Sequence, residues 1–181
     1  MAEELYQETL IARAKSGRER KRLPNPDGTA TLDNPLCGDR VTLDITFRPA
    51  DEGASETAPS DQTVIGAVGH DVRGCMLCEA TAAMIAAYAP GMTQATLAEH
   101  ADSVRTMITD GSPPPADWPD FQALAAVHGT KSRHHCVLLA FDVLEKGLAN
   151  AGLPRPSDGA DTSSRGASPV GSDDPVRPPP F

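Results

Sequence analysis

The sequence lacks any long apolar run and is poor in aromatic and basic residues. Its 181 residues include one Trp, two Tyr and four Phe. No apolar segment approaches the roughly 18 residues that a membrane-spanning helix needs, so the sequence predicts no transmembrane segment. Lys and Arg number 16 against 25 Asp and Glu, which gives a formal net charge of −9. Because an acidic chain repels phosphate backbones, we expect no nucleic-acid partner.

The N-terminal stretch, MAEELYQETLIARAK, also lacks the features of a secretory signal. Acidic residues stand where a signal peptide carries bases, and there is no apolar segment behind them. We therefore expect a cytoplasmic protein, in which thiols stay reduced. In that setting the four cysteines favour metal chemistry, sulfur chemistry or buried structural thiols over disulfides.

The hydrophobic periodicity predicts an α+β domain over residues 1–153. Residues 40–48, RVTLDITFR, alternate between apolar and polar side chains, which indicates a half-buried strand. TVIGAVGHDV predicts a second strand, joined to the first by a long mobile loop, and TATLDN predicts a third strand at the edge. A helix precedes the strands and is expected to stop at Gly17, and helices follow Gly74. The last helix is predicted to begin at Cys136.

The chain from residue 154 onward differs in composition. It is rich in Pro, Ser, Gly and Asp and has almost no residues that form a core. Such a segment cannot bury enough apolar surface to offset the entropy of ordering it. We therefore predict a disordered tail over residues 154–181.

Three cysteines lie at positions that favour ligand chemistry. Cys37 and Asp39 flank one glycine just before a strand, and that glycine lets both turn toward a shared point. Cys75 lies where a strand meets a helix, and Cys136 lies at the predicted start of the last helix. The backbone N–H groups and dipole at a helix N-terminus favour a thiolate. We therefore expect Cys75 and Cys136 to be primed as ligands or nucleophiles.

The fourth cysteine, Cys78, shares a helix face with Cys75 because the two are three residues apart. A thioredoxin-like redox pair is disfavoured, since no βαβ pattern surrounds them. Cys78 could instead be a buried thiol that packs as a small apolar residue, a spare sulfur acceptor or an alternative metal ligand. The sequence leaves these alternatives open.

Three segments resemble the signature regions of the IscU/SufU/NifU-type iron–sulfur cluster assembly scaffolds: NPLCGDRVTLDI, GCMLCEATAAMI and RHHCVLLAFDVL. The N-terminal LYQETLIARAKSGRERKRL resembles the first helix of that family, and the likeness extends to about residue 152. It implies an α+β fold, with a three-stranded antiparallel sheet and helices packed on one face. It also implies a ligand set for zinc or a [2Fe–2S] cluster: Cys37, Asp39, Cys75 and Cys136. The family mostly carries a small residue such as Ser at the position of Cys78.

Two features place the chain between branches of that family. The stretch ADWPDFQALAAVHGTKS resembles the insertion that marks the SufU branch, which is associated with a tightly held zinc and with accepting sulfur. His135, directly before the last cysteine, resembles the IscU branch instead. The closest likeness is to the SufU-like branch. His135 is an alternative ligand, and Arg133 could neutralise the anionic site from nearby or simply be solvated.

Three thiolates and one carboxylate suit either four-coordinate zinc or a [2Fe–2S] cluster. Because a carboxylate oxygen holds iron less firmly than a thiolate does, Asp39 would make a cluster easy to release. Cys37, next to a flexible glycine, is the candidate persulfide acceptor.

The function that the resemblance implies is a scaffold that receives sulfur from a cysteine desulfurase and passes clusters to apo-proteins. The alternative is a zinc-dependent sulfurtransferase that relays persulfide without building a cluster. A third hypothesis is a degenerate member that binds metal only structurally.

Overall fold

The computed structural model describes residues 2–35, 37–50 and 63–152, with side chains from residue 7 onward. The predicted tail, and residues 51–62 of the mobile loop predicted over residues 49–62, lie outside this part. The described elements, in chain order, are α1 Ala2–Arg18, β1 Gly28–Asp33, β2 Arg40–Pro49, β3 Thr63–Arg73, α2 Met76–Tyr88, α3 Gln94–Asp110, a 3-10 helix Pro119–Gly129 and α4 Lys131–Asn150.

The three strands form one antiparallel sheet in the order β1-β2-β3. Leu43 pairs with Ala30 of β1 on one side and with His70 of β3 on the other. The helix α4 lies against β1 and β2, while α2 lies against β3. Val41, Leu43 and Ile45 point into this helical layer and are fully buried. The predicted α+β architecture, with helices on one face of a three-stranded sheet, is confirmed.

The second face of β2 is also covered, although its sequence pattern predicts a half-buried strand. Asp44 is 0% exposed because residues 21–23 cross this face after α1 ends. Lys21 pairs with His70 through main-chain hydrogen bonds at the edge of β3. A side chain at Gly69 would come within 2.5 Å of the Lys21 carbonyl oxygen, so only glycine allows this crossing.

The crossing segment also satisfies the buried carboxylate of Asp44. Its oxygens accept hydrogen bonds from the Arg22 guanidinium, from the Leu23 backbone N–H and from the Thr29 hydroxyl. Burial acts to raise the pKa of Asp44, but these hydrogen bonds and the positive charge of Arg22 outweigh it and lower the pKa. The carboxylate is therefore charged and fully partnered inside the fold.

The first helix does not stop at Gly17, as the sequence pattern predicts, but continues to Arg18. Gly17 instead lies against the backbone of α2, where an added Cβ would be 2.0 Å from the Glu79 carbonyl oxygen. Arg18 then forms an ion pair with the Glu79 side chain at 2.8 Å. Gly17 is thus a point of close helix packing.

The last helix begins at Lys131, so Cys136 lies in its second turn and the prediction that it opens the helix is wrong. Residues 131–135 are polar or charged and partly or fully exposed. They lack the apolar periodicity that would mark them as helical in sequence. Only Thr130 separates α4 from the preceding 3-10 helix. No helix in the described part of the chain is long and apolar enough to cross a membrane.

Candidate metal site

Four potential ligands meet between the start of β2 and the helices α2 and α4. Asp39 precedes β2, Cys75 is the N-cap of α2, Cys78 lies in its first turn, and Cys136 lies in α4. One donor atom from each of them lies within 4.8 Å of all the others. Cys78 is fully buried, Asp39 and Cys136 are nearly so, and Cys75 is half-buried. Such a cluster of buried donors is suited to a metal ion.

A tight turn holds Asp39 in the site. The Gly38 N–H donates to the Asn34 carbonyl oxygen at 2.8 Å, and the Asn34 N–H donates to the Asp39 carbonyl oxygen at 2.7 Å. Gly38 has φ +75°, a left-handed conformation that glycine adopts without strain. The turn thereby presents Asp39 inward, while Cys37 is exposed at its tip.

The junction between β3 and α2 supports Asp39 from the other side. Its Oδ1 accepts a hydrogen bond from the Cys75 N–H at 3.1 Å. A side chain at Gly74 would come within 2.8 Å of the Asp39 Cγ atom. The glycine that precedes Cys75 therefore provides the space that the carboxylate occupies.

Cys78 contacts the other three potential ligands. Its Sγ atom lies 3.1 Å from Asp39 Oδ2 and 3.9 Å from Cys75 Sγ. It also lies 3.0 Å from the main-chain carbonyl oxygen of Cys136. The buried thiol that the sequence leaves undecided is thus at the centre of the polar cluster.

The thiols of the site differ strongly in acidity. A hydrogen bond from Cys78 is the main cause that lowers the pKa of Cys75 to about 6. Burial raises the pKa of Cys136 to about 12, with further increases from its hydrogen bond to Cys75 and from nearby negative charges. The hydrogen bond to Cys75, followed by burial, raises the pKa of Cys78 far above its ordinary value. Among Cys75, Cys78 and Cys136, Cys75 is therefore the residue that is a thiolate when no metal is bound.

The carboxylate of Asp39 stays ionised in this environment. Burial acts to raise its pKa, but hydrogen bonds from the thiols of Cys78 and Cys37, together with the Cys75 N–H, outweigh burial and lower it. These contacts also place the Cys37 thiol within reach of the carboxylate.

The expectation that a helix start primes Cys136 is wrong, since Cys136 lies beyond the first turn and its pKa is raised. Cys75 does lie at a helix start, as predicted. The leading cause of its acidity is nevertheless the Cys78 thiol, which the sequence could not place.

Three residues that the sequence singles out lie outside the four-donor cluster. Cys37 is exposed at the tip of its turn. His135 is exposed on α4. Arg133 lines a groove between α1 and the 3-10 helix. Their roles as ligands or as a neighbouring cation stay predictions.

The cluster fits a thiolate-bound metal both in chemistry and in spacing. Ligands at the vertices of a tetrahedral zinc–sulfur site are about 3.8 Å apart, given a Zn–S bond of about 2.3 Å. The 3.9 Å between the Cys75 and Cys78 sulfurs is close to that value. Sulfur and carboxylate donors also suit iron. The spacing of three residues between Cys75 and Cys78 was the one sequence signal for this pairing.

Solved structures share this fold. A NifU-like nitrogen-fixation protein (N-terminal part) from Brucella abortus is 26% identical, with a TM-score of 0.67 over 81% of this chain and 94% of that protein. A candidate iron–sulfur cluster assembly scaffold for the SUF system from Fervidobacterium islandicum is 22% identical, with a TM-score of 0.61 over 78% of this chain and 94% of that protein. A hypothetical protein matches with a TM-score of 0.67 at 22% identity over 81% of this chain and 98% of its own.

At these identities, the second and third matches establish a shared fold alone. No protein-family model matches the chain, and the search of curated proteins found no relative.

Proposed function

We propose that this chain, which belongs to the IscU/SufU/NifU-type family, is a scaffold that assembles an iron–sulfur cluster and passes it to apo-proteins. The observation that carries this proposal is the convergence of one carboxylate and three thiols, all with donor atoms within 4.8 Å of one another. The three sequence segments that resemble the family's signature regions supply all of these groups. A site of this composition can hold iron through sulfur while keeping one weaker oxygen ligand.

Each residue would have a distinct part in handling the cluster, which is cargo and not a permanent component. Cys75 and Cys136 would provide thiolates from the two helices, and Asp39 an oxygen that exchanges more readily than sulfur. Cys37 would be the fourth ligand of a [2Fe–2S] cluster, because two irons spread their ligands further apart than one ion does. Gly38, beside Cys37, would allow Cys37 to move to the position of that fourth ligand.

Sulfur would arrive at Cys37 by persulfide exchange with a cysteine desulfurase. The Cys37 thiolate attacks the outer sulfur of the desulfurase's cysteine persulfide, and a new S–S bond forms as the old one breaks. The outer sulfur is then bound to Cys37, and the desulfurase cysteine leaves as a thiolate, so no external oxidant is needed. The exposure of Cys37 supports this role. The proposed location is the cytoplasm, where thiols stay reduced.

Anaerobic reconstitution tests the scaffold function. The full chain is mixed with ferrous iron, cysteine, a desulfurase and dithiothreitol, which reduces the persulfide sulfur to sulfide, and an apo-ferredoxin is then added. We expect visible absorbance bands of a cluster on this protein and their transfer to the ferredoxin. The Cys75→Ala variant should form no cluster, whereas Asp102→Asn, a change on the exposed side of α3, should behave like the parent. Absence of a cluster on the parent chain would refute the scaffold function.

The second candidate is a zinc-dependent sulfurtransferase, favoured by the short distances among the four donors, which suit a single ion. Metal analysis of protein purified anaerobically from its own host separates the two. A brown protein containing iron and sulfide supports the scaffold. A colourless protein that holds one zinc and acquires persulfide on Cys37 supports the transferase, and zinc without persulfide transfer leaves only a structural role.

A further inference from the structure

We propose that a single divalent ion at this site is bound by Asp39, Cys75, Cys78 and Cys136, and that Cys37 remains a free thiol while the ion is bound. This proposal rests on the metal-handling role proposed above and specifies its resting state. It differs from the set implied by the family resemblance, in which Cys37 is a ligand and Cys78 is not.

The position of Cys78 is the first argument. Its sulfur is 0% exposed and lies 3.1 Å from one oxygen of Asp39 and 3.9 Å from the Cys75 sulfur. A buried thiol that only filled space would be surrounded by apolar atoms. Cys78 instead faces a carboxylate and another thiol. Because no external reagent can reach it, a role as spare sulfur acceptor is disfavoured and a role as ligand is favoured.

The position of Cys37 is the second argument. It lies in the same turn as Asp39, yet it is exposed and is not one of the four residues whose donor atoms lie within 4.8 Å of one another. Structural zinc takes four ligands in nearly all cases. With Cys78 present, the shell is complete without any movement of the turn. For Cys37 to bind, it would have to displace one of the four donors that already lie together.

The formal charge of the site is the same whether Cys78 or Cys37 is the ligand. Either set provides three thiolates and one carboxylate, so that a divalent ion leaves a net charge of about −2. The two sets therefore differ in geometry and exposure, and both of these favour Cys78.

With Cys78 as a ligand, metal binding and the acceptance of persulfide sulfur use different cysteines. If Cys37 were a ligand, it would have to leave the ion before it could attack a persulfide, because a metal-bound thiolate is shielded and less nucleophilic. With Cys78 as the ligand, Cys37 can accept sulfur while the ion stays in place. Zinc content should therefore not change when Cys37 is loaded with sulfur.

The test is alkylation of the full chain with and without one equivalent of zinc. Limiting iodoacetamide and peptide mass mapping report which thiols react. With zinc bound, we expect Cys37 to be alkylated and the zinc to be retained, whereas Cys75 and Cys136 are protected. Protection of Cys37 by zinc in the parent chain would overturn the proposal, and this readout needs no substitution in the core.

Two variants provide matched evidence. Cys37→Ser should bind one equivalent of zinc with an affinity within a few-fold of the parent. Cys78→Ala should bind zinc at least about 10-fold more weakly, or recruit Cys37, which would then become protected from alkylation. Far-UV circular dichroism checks that Cys78→Ala folds. The reverse pattern, with loss of zinc in Cys37→Ser and retention in Cys78→Ala, would also overturn the proposal.

Cobalt(II) gives an independent count of the sulfur ligands, since its sulfur-to-metal charge-transfer absorbance scales with their number. The parent and Cys37→Ser should have equal intensity, and a Cys37→Ser/Cys78→Ala double variant should lose about a third of it. Equal intensity in the parent and the double variant would contradict the assignment. These outcomes do not depend on cluster assembly or transfer, so the scaffold function and the ligand assignment can fail separately.

Discussion

At the scale of single residues, Asp39 distinguishes this cluster of potential ligands from an all-sulfur site. It is the one oxygen donor in a cluster of three thiols, and two elements lock it in place. Hydrogen bonds from Cys75 and Cys78 keep it ionised and oriented. A carboxylate in this position is available as a ligand yet exchanges with water more readily than sulfur.

Replacement of Asp39 by Ala should therefore slow cluster release. Cys37, Cys75 and Cys136 remain as cluster ligands, and the Cys78 thiol can take the vacated position, while His135 is a further candidate if α4 adjusts. We expect a longer cluster half-life and slower transfer to an apo-acceptor, both followed by visible absorbance. Asp102→Asn is the matched control and should change neither rate. Faster loss of the cluster from Asp39→Ala would indicate that Asp39 is a structural ligand, against the proposed mechanism.

A second carboxylate, Asp44, contributes to stability and not to the site. It is fully buried and accepts hydrogen bonds from Arg22, Leu23 and Thr29. Asp44→Asn loses the charge and at least one of these bonds, so unfolding free energy at pH 7 should fall by about 1–3 kcal/mol. Urea denaturation measures this loss, and Asp102→Asn should have little effect.

The contribution of Asp44 should also depend on pH. Because its pKa is lowered in the folded state, its stabilisation is fully present above its unfolded pKa of about 3.9. It is lost as the pH falls through the lower, folded pKa. The difference in stability between the parent and Asp44→Asn should therefore shrink below about pH 4. A difference that stays constant down to pH 2 would contradict this explanation.

At the scale of elements, chain segments approach the sheet closely at two glycines, of which Gly74 borders the site. Residues 21–23 cross the sheet over Gly69, and the turn before β2 lies against Gly74. At both positions a side chain would collide with neighbouring atoms. Close approach of this kind is a recognised role of glycine inside or beside strands.

Gly74→Ala should consequently weaken metal binding. The added methyl group would lie 2.8 Å from Asp39 Cγ and push the carboxylate away from the three thiols. We expect zinc affinity to fall by about 10–100-fold, the loss typical of a disturbed ligand environment. Gly129→Ala is the matched control, since a Cβ there meets nothing within 4 Å. Equal zinc affinity in Gly74→Ala and the parent, measured by chelator competition, would refute this role.

The segment that resembles the SufU insertion forms part of the core. Trp118 and Phe121 are fully buried and stack with ring centroids 4.9 Å apart, and Phe141 of α4 lies 5.9 Å from Phe121. These ring contacts pack the 3-10 helix against α4, the helix that carries Cys136. Four of the seven aromatic residues, Tyr88, Trp118, Phe121 and Phe141, thus form one packed cluster.

At the scale of the whole molecule, residues 1–153 should be sufficient for folding and for metal binding. All four potential ligands and all buried core residues of the described part lie at or before Leu148. A chain that ends at residue 153 should unfold within a few degrees of the full-length protein and bind one zinc. Thermal denaturation followed by the fluorescence of Trp118, together with metal analysis, measures both. A large drop in melting temperature or loss of zinc would assign residues 154–181 a structural role.

The sequence by itself determined the order of the strands and helices, and its resemblance to the scaffold family implied the antiparallel sheet and the ligands Asp39, Cys75 and Cys136. These features are local, because they follow from alternation along a strand, from helical periodicity and from short motifs. The resemblance to the scaffold family rests on such motifs as well.

Only the tertiary structure decided what faces each of these elements. The spacing between Cys75 and Cys78 predicts that both sulfurs lie on one face of α2. It does not predict that Asp39, which lies 39 residues before Cys78 in the chain, faces them. Packing in the tertiary structure also buried the second face of β2 under residues 21–23. It extended α4 to Lys131 and left Cys37 exposed. The physical reason is that burial and ligand contacts depend on packing between distant segments, which a local pattern does not specify.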